Sequence, residues 1–364
     1  MIAWKVKAAS HSRRALYKSP SIKPSLLSQF TVMASSSESD ASLTTLHSDL
    51  FHSHILTRLD GPSLASASAS SSLLRHLCLH DPLWRQICTS TWPSLRDPIL
   101  RPVISHFPSG HRSLFLDSFP TLHHFNRPHH LHPSFTPTSE WISAVDIYDN
   151  DTPIFSKVHR TQTQSGWFEC SPLWIDLLDP KESVPMPLKC ARKDEDWMKH
   201  LEKNLSLSWI LIDPSRNRAA NLSSRRPVSA QRHWLTGDLE LVYAVVIACD
   251  EGPSEWVQCN IKVTCTYSEE VGGEMPVSEI SLTVEDSDGR SMSGKQSMAI
   301  LQSAIESGKR KRMSEEEAKA RFQEFLSVKR DRREARERSD QALDMVLIFV
   351  VVAIFAFLCW FFFF

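Results

Sequence analysis

The sequence predicts an α+β chain: a small helical module, then an antiparallel β-sandwich-like domain, a charged helical stalk and a C-terminal transmembrane helix. Three observations predict it. Apolar residues recur at near-helical spacing between positions 46 and 87, they alternate with polar ones at period two after Trp141, and residues 345–364 contain no charge, proline or glycine.

The 364 residues suggest two or three domains. Lys+Arg 41 against Asp+Glu 42 leaves a formal net charge of -1, so no whole-chain basic excess points to a nucleic-acid partner. Ten Gly against 21 Pro excludes a collagen-like chain. The Cys 8 form no C-x-x-C pair, which favours reduced thiols in a cytosolic-facing body.

Residues 1–42 read as a basic, then Ser-rich, disordered N-terminus. The first 32 carry Lys5, Lys7, Arg13, Arg14, Lys18 and Lys23 and no acid, a composition shared with transit peptides; Met33 reads as an alternative start. Residues 43–95 form the helical module. Leu46, Leu50, Ile55, Leu56 and Leu59 recur at near-helical spacing, Asp60-Gly61-Pro62 breaks the run, and 64–79 gives a second helix that begins at Leu64 and has Leu73, Leu74 and Leu77 as its larger members. Asp81-Pro82 then separates a third with Leu83, Trp84 and Ile87. Helices this short need a partner surface to persist.

Residues 96–139 are rich in Pro and His and read as a connecting layer with room for one helix, around the apolar run Ser113 to Phe119. Residues 140–295 form the β-rich domain. Val257, Cys259, Ile261, Val263, Cys265 and Tyr267 alternate with polar neighbours; Leu205 to Leu211 and Leu239 to Ile247 repeat the pattern, and Ile280, Leu282 and Val284 add another strand. Turns between them point to an antiparallel sandwich or open barrel. Residues 296–341 are expected as a stalk: a helix at 296–307, then a charged solvated helix at 309–340 with twelve basic residues and nearly as many acids.

At 1.5 Å per residue, the 20 apolar residues 345–364 span about 30 Å, the hydrocarbon thickness of a bilayer. Lys329, Arg330, Arg332, Arg333, Arg336 and Arg338 precede the span, so the positive-inside rule places the body in the cytosol. The expectation is a single-pass, tail-anchored protein with lipid contacts through 345–364, most naturally in the endoplasmic reticulum.

Segment 43–88 resembles an F-box, matching at Leu46, Asp49, Ile55, Leu56, Leu59, Leu64, Trp84 and Arg85. It departs at His47, where the family usually has proline, and in its Ala/Ser-rich middle helix. STWPSLRDP, GHRSLFLDSFP and SGWFECSPLWIDLLDPKE extend the resemblance to a plant F-box subfamily with a β-rich C-terminal region. The resemblance implies the substrate-recognition subunit of an SCF-type ubiquitin ligase. Its F-box would bind the Skp adaptor, and through it cullin, by Leu46, Leu50, Ile55, Leu56, Leu59, Leu64, Leu74, Leu77 and Trp84. Its β-rich domain would bind an unknown protein substrate. No cofactor, metal or catalytic residue is expected, because the chemistry belongs to other subunits.

Three chemical readings compete. Gly289 to Lys295 follows a strand and precedes a helix like a phosphate loop, but Gln296 replaces the magnesium-binding Ser or Thr. His123, His124, His129, His130 and His132 have only Asp117 as a nearby carboxylate for a zinc site. Seven Trp between 141 and 256 would suit a stacking platform, the basis of an alternative reading as a membrane-attached lectin-like protein.

Overall fold

The computed structural model describes residues 51–125, 137–179, 181–185, 195–249, 256–266 and 276–363. The expectations for 1–42, Leu46, Asp49, Leu50, His129, His130, His132 and Tyr267 lie outside them. His52–Phe364 group as one unit, to which the following description applies.

The helical module enters through short turns at Phe51–Ile55 and Leu56–Arg58. Helices α1 (Gly61–Ser70), α2 (Ser72–Leu77) and α3 (Asp81–Thr91) follow. A turn at Pro93–Arg96 leads to α4 (Leu100–Ser105) and α5 (His111–Ser118). Local chemistry sets the boundaries. The Asp60 carboxylate caps α1 by accepting from the Ser63 N–H at 3.0 Å, and Ser71 caps α2 by accepting from Leu74 at 3.1 Å. Pro at the first turn of α1 and of α3 sacrifices no helical hydrogen bond. Gly61 is required by packing, since a Cβ there would lie 2.1 Å from Phe115 Cζ on α5.

The β-rich body contains β1 (Thr121–Phe125), β2 (Glu140–Asp149), β3 (Thr152–Gln162), α6 (Gly166–Cys170), β4 (Trp174–Asp176) and α7 (Glu195–Asn204). Then come β5 (Leu205–Asp213), β6 (Arg218–Asn221), β7 (Ser229–Arg232), β8 (Leu239–Cys249), β9 (Trp256–Cys265) and β10 (Val277–Asp286). The chain closes with α8 (Gly294–Ser307), β11 (Lys309–Lys311) and α9 (Glu315–Phe363). Asn150 and Asp151, both at positive φ, form the two-residue turn between β2 and β3.

Of the expected antiparallel sandwich or open barrel, the antiparallel pairing holds through most of the body, but the strands are not divided between two sheets. The described strands form one 11-stranded sheet, ordered β3-β2-β5-β6-β1-β8-β9-β10-β4, with β11 added to β1 and β7 to β8. Strand β1 makes it continuous: it pairs in parallel with both β6 and β8 and so joins two antiparallel halves. It lies in the segment read as a connector, because the five residues Thr121–Phe125, two of them histidines, show no clean alternation. Alternate residues of the long strands, such as Trp209, Tyr243, Ile261 and Leu282, enter one core.

The stalk is also corrected. Helix α8 begins with a capping box in which Ser293 and Gln296 bond each other's backbone N–H. Its Met298, Leu301, Ala304 and Ile305 are buried in the sheet's core. Lys309–Lys311 pairs with β1 as a strand rather than opening a helix. The first turns of α9 are docked on the body, with Phe322 and Phe325 buried. Its cations meet body carboxylates: Lys319 with Glu202 at 3.1 Å, Lys329 with Glu285 at 2.7 Å, and Arg332 and Arg336 with Asp288 at 3.1 and 3.4 Å. Gly289, at φ +74, lets Lys329 approach where a Cβ would meet its Cε at 2.4 Å.

Candidate functional site

Four of the residues singled out in the helical module point inward. Leu56, Leu64, Leu77 and Trp84 are buried, so they hold the module together and are closed to a partner in this arrangement. The Trp84 indole N–H donates to the Cys78 carbonyl at 2.7 Å, and its ring lies 5.4 Å from that of Phe115. Phe115 also meets Trp92 at 5.7 Å and stacks on Phe119 at 5.0 Å. Burial pushes the Cys88 thiol well above its usual range and raises that of Cys78, which keeps both in the protonated form.

Ile55, Leu59 and Leu74 are half-buried and retain an accessible face. Leu59 borders a groove of about 170 Å³ shared with Leu83 and Ile87. Leu73 and Leu79 stand out more, at 40% and 48% exposed. Sequence reasoning placed Leu73 in the second helix but left both out of the adaptor-binding set; the signal was a surplus of leucines, since the six-residue α2 and the turn that follows it cannot bury leucines on every side. On another side of the module, Arg85, Arg96 and Arg101 line a cleft of about 380 Å³ with Asp81 and His111.

Two buried carboxylates seat the module on the sheet. Asp146 of β2 accepts from the Ser94 N–H at 2.8 Å, the Ser94 hydroxyl at 2.6 Å and the Ser156 hydroxyl at 2.6 Å. Burial pushes its carboxyl above the usual range, against the pull of these donors. The Tyr148 hydroxyl adds a bond to the Thr91 carbonyl. Asp117 of α5 accepts a forked pair from Arg218 at 2.8 and 3.1 Å and a third bond from the Ala219 N–H at 3.1 Å. Module and sheet are therefore coupled by charge-assisted bonds rather than by a free linker.

The sequence that folds in this way is similar, over most of its length, to plant proteins. The F-box protein At2g27310 of Arabidopsis thaliana is 43% identical over 326 residues, covering 87% of this chain and 95% of the relative. F-box protein At3g44326 is 42% identical over 347 residues, covering 92% and 94%, and probable F-box protein At2g36090 is 41% identical over 321 residues, covering 86% and 93%; both are from the same plant. The chain belongs to this plant F-box protein family. No family model and no solved structure matches it.

The described residues of the competing chemical readings take part in packing in this F-box protein. The Gly289–Lys295 loop is a helix cap and a seat for Lys329. His123 lies on β1 against the Arg321 guanidinium, and burial pushes its pKa down. The side chain of His124 lies outside the described residues. Trp141 and Trp209 are fully buried, so the tryptophans form no single platform; Trp167, Trp174 and Trp234 are exposed. The end of α9 is apolar and unburied, a candidate membrane span by length and composition.

Proposed function

We propose that this F-box protein is the substrate-recognition subunit of an SCF-type ubiquitin ligase, attached to a membrane through 345–364. It binds the Skp adaptor, and through it cullin, with the helical module of 43–95. It binds the protein to be ubiquitinated with the β-rich domain, whose strands extend beyond 140–295 to include β1 and β11. The observation that carries the reading is identity of 41–43% to three F-box proteins over most of the chain.

The adaptor surface is assigned to Ile55, Leu59, Leu74, Leu73 and Leu79, together with Leu46 and Leu50, while Leu56, Leu64, Leu77 and Trp84 support it from within. Catalysis is by positioning: the chain raises the effective concentration of substrate lysines near an enzyme carried by other subunits. The cations before the span favour a cytosolic body, and the endoplasmic reticulum is the expected membrane. Reconstitution tests the reading. The full chain in detergent should form a stable complex with purified adaptor and cullin; a folded chain that elutes apart from both refutes it.

A further inference from the structure

Helix α9 and an exposed tryptophan share one face of the sheet. Phe322 of α9 packs on Val228, Val242 and Ala244, and the last two alternate along β8 with the core residues Leu241, Tyr243 and Val245. α9 therefore crosses the face turned away from that core. Farther along, Lys329 meets Glu285 near the end of β10, and Arg332 and Arg336 meet Asp288 in the turn that follows. The Arg336–Asp288 pair is the last ion pair between α9 and the body among the described residues, so this turn marks where the helix departs for the apolar tail.

Two exposed tryptophans border that exit. Trp174 of β4 pairs with Thr283, two positions before Glu285 in β10. Cross-strand partners share a face, so Trp174 stands on the side that α9 crosses, with 58% of its surface exposed. Asp176, on the same face, pairs with Ser281 and is farther from the exit. Trp167 of α6 is 83% exposed. The chain leaving the turn ties α6 and β4 to it: the Met292 N–H donates to the Val284 carbonyl at 2.9 Å, the Leu173 N–H to the Met292 carbonyl at 2.8 Å, and the Gly294 N–H to the Ser171 carbonyl at 3.0 Å. Arg290 and Lys295 on this same stretch are exposed. Trp234, in contrast, lies in the β7–β8 connection at the other end of the sheet, where Leu239 pairs with Cys265 and Cys265 with Val277 at the start of β10.

We propose that Trp167 and Trp174 rest in the headgroup layer of the bilayer that α9 enters, so that the body docks on the membrane beside its own tail. The proposal rests on the membrane-attachment reading above and adds a second contact to it. An indole has an apolar body and a polar N–H, which suits it to the membrane–water interface and makes full hydration costly. The distances agree. From Arg336 to Met345 a helix rises about 13 Å, of which the headgroup layer takes about 5–7 Å. The remainder is about the length of one side chain, and the tilt of about 20° usual for spans lowers one flank of the body further. Arg290 and Lys295 add charges that an anionic leaflet attracts. Two contacts stop the body from swivelling about its tail and hold it where membrane-borne proteins present cytosolic lysines, which raises their effective concentration.

The test places the full chain in nanodiscs of phosphatidylcholine and phosphatidylserine, with Cys190→Ser, Cys249→Ser and Cys359→Ser, and labels Cys170 with a fluorophore. Cys170 is exposed on α6, whereas Cys78, Cys88, Cys259 and Cys265 are buried and escape the label. Nitroxide carried on lipid headgroups should quench the Cys170 label. It should leave unquenched a label at Trp234→Cys in a chain that also carries Cys170→Ser. Trp167→Asp with Trp174→Asp should abolish the quenching at Cys170 and keep the denaturation midpoint, because both side chains are exposed. A Cys170 label quenched no more than the one at position 234, or quenching undiminished in the double Asp variant, overturns the proposal. Retention of the same chains in vesicles through alkaline carbonate is read separately. Release refutes the span and the contact with it, whereas retention without quenching leaves the span standing and removes the contact alone.

Discussion

Trp84 is fully buried, whereas Leu73 and Leu79 of the same module stand in solvent, and the two kinds of residue should fail differently when changed. Trp84→Ala should destabilise the module by about 3–5 kcal/mol, read as a lower denaturation midpoint of the full chain in detergent. Leu73→Asp with Leu79→Asp should leave stability within about 0.5 kcal/mol per change and still weaken adaptor binding. Asp146 is the matching test at the seat: Asp146→Asn strands donors that now converge on a carboxylate and should cost about 1–3 kcal/mol. Its sign with pH is defined. Because the folded carboxyl titrates above its ordinary 3.8, its favourable contribution is fully present below that value and is lost as pH rises through the folded pKa. The stability gap between wild type and Asp146→Asn should therefore widen in favour of wild type on acidification. Nothing in the sequence marked Asp146, since an acid at an alternating strand position reads as solvent-facing until the Ser94 turn is seen to cover it.

At the scale of elements, what was legible had a local cause. The turn at Asp60 and the Pro-opened α3 wrote two of the module's breaks into the sequence, and strict alternation wrote β5, β8, β9 and β10, whereas the Ser71 cap divides the stretch 64–79 that was expected as one helix. Strand β1 was illegible because its pairing is non-local and its composition is that of a loop. Helix α8 was assigned to the stalk because its amphipathic pattern does not say which surface it meets. The charges of α9 looked solvated because their carboxylate partners, Glu202, Glu285 and Asp288, lie far away in sequence. Gly61→Ala should test the packing of α1 on α5 most sharply. Its Cβ would collide with Phe115, and overpacking of this kind should cost about 1–3 kcal/mol, read as an earlier urea midpoint.

For the whole molecule, α9 runs unbroken from its docked turns into the apolar tail. Met345 lies nine positions beyond Arg336, which pairs with Asp288, so a straight helix would hold the body about 13 Å from the start of the apolar stretch. If 345–364 spans the bilayer, the full chain should stay in the membrane pellet through alkaline carbonate and a chain ending at Asp340 should be released. Two Arg inserted near Ala353 should release it as well, at about 2.5–3.5 kcal/mol for each charge. Extraction of the full chain by high salt would instead show attachment by screened surface charge. The central claim, that the helical module captures the ligase adaptor, is tested most directly by calorimetric titration of purified Skp adaptor into the full chain in detergent micelles. The account predicts saturable binding of one adaptor per chain, lost in the Leu73→Asp, Leu79→Asp variant while its denaturation midpoint is kept. No heat of binding from a folded wild-type chain, or undiminished binding by that variant, would contradict it.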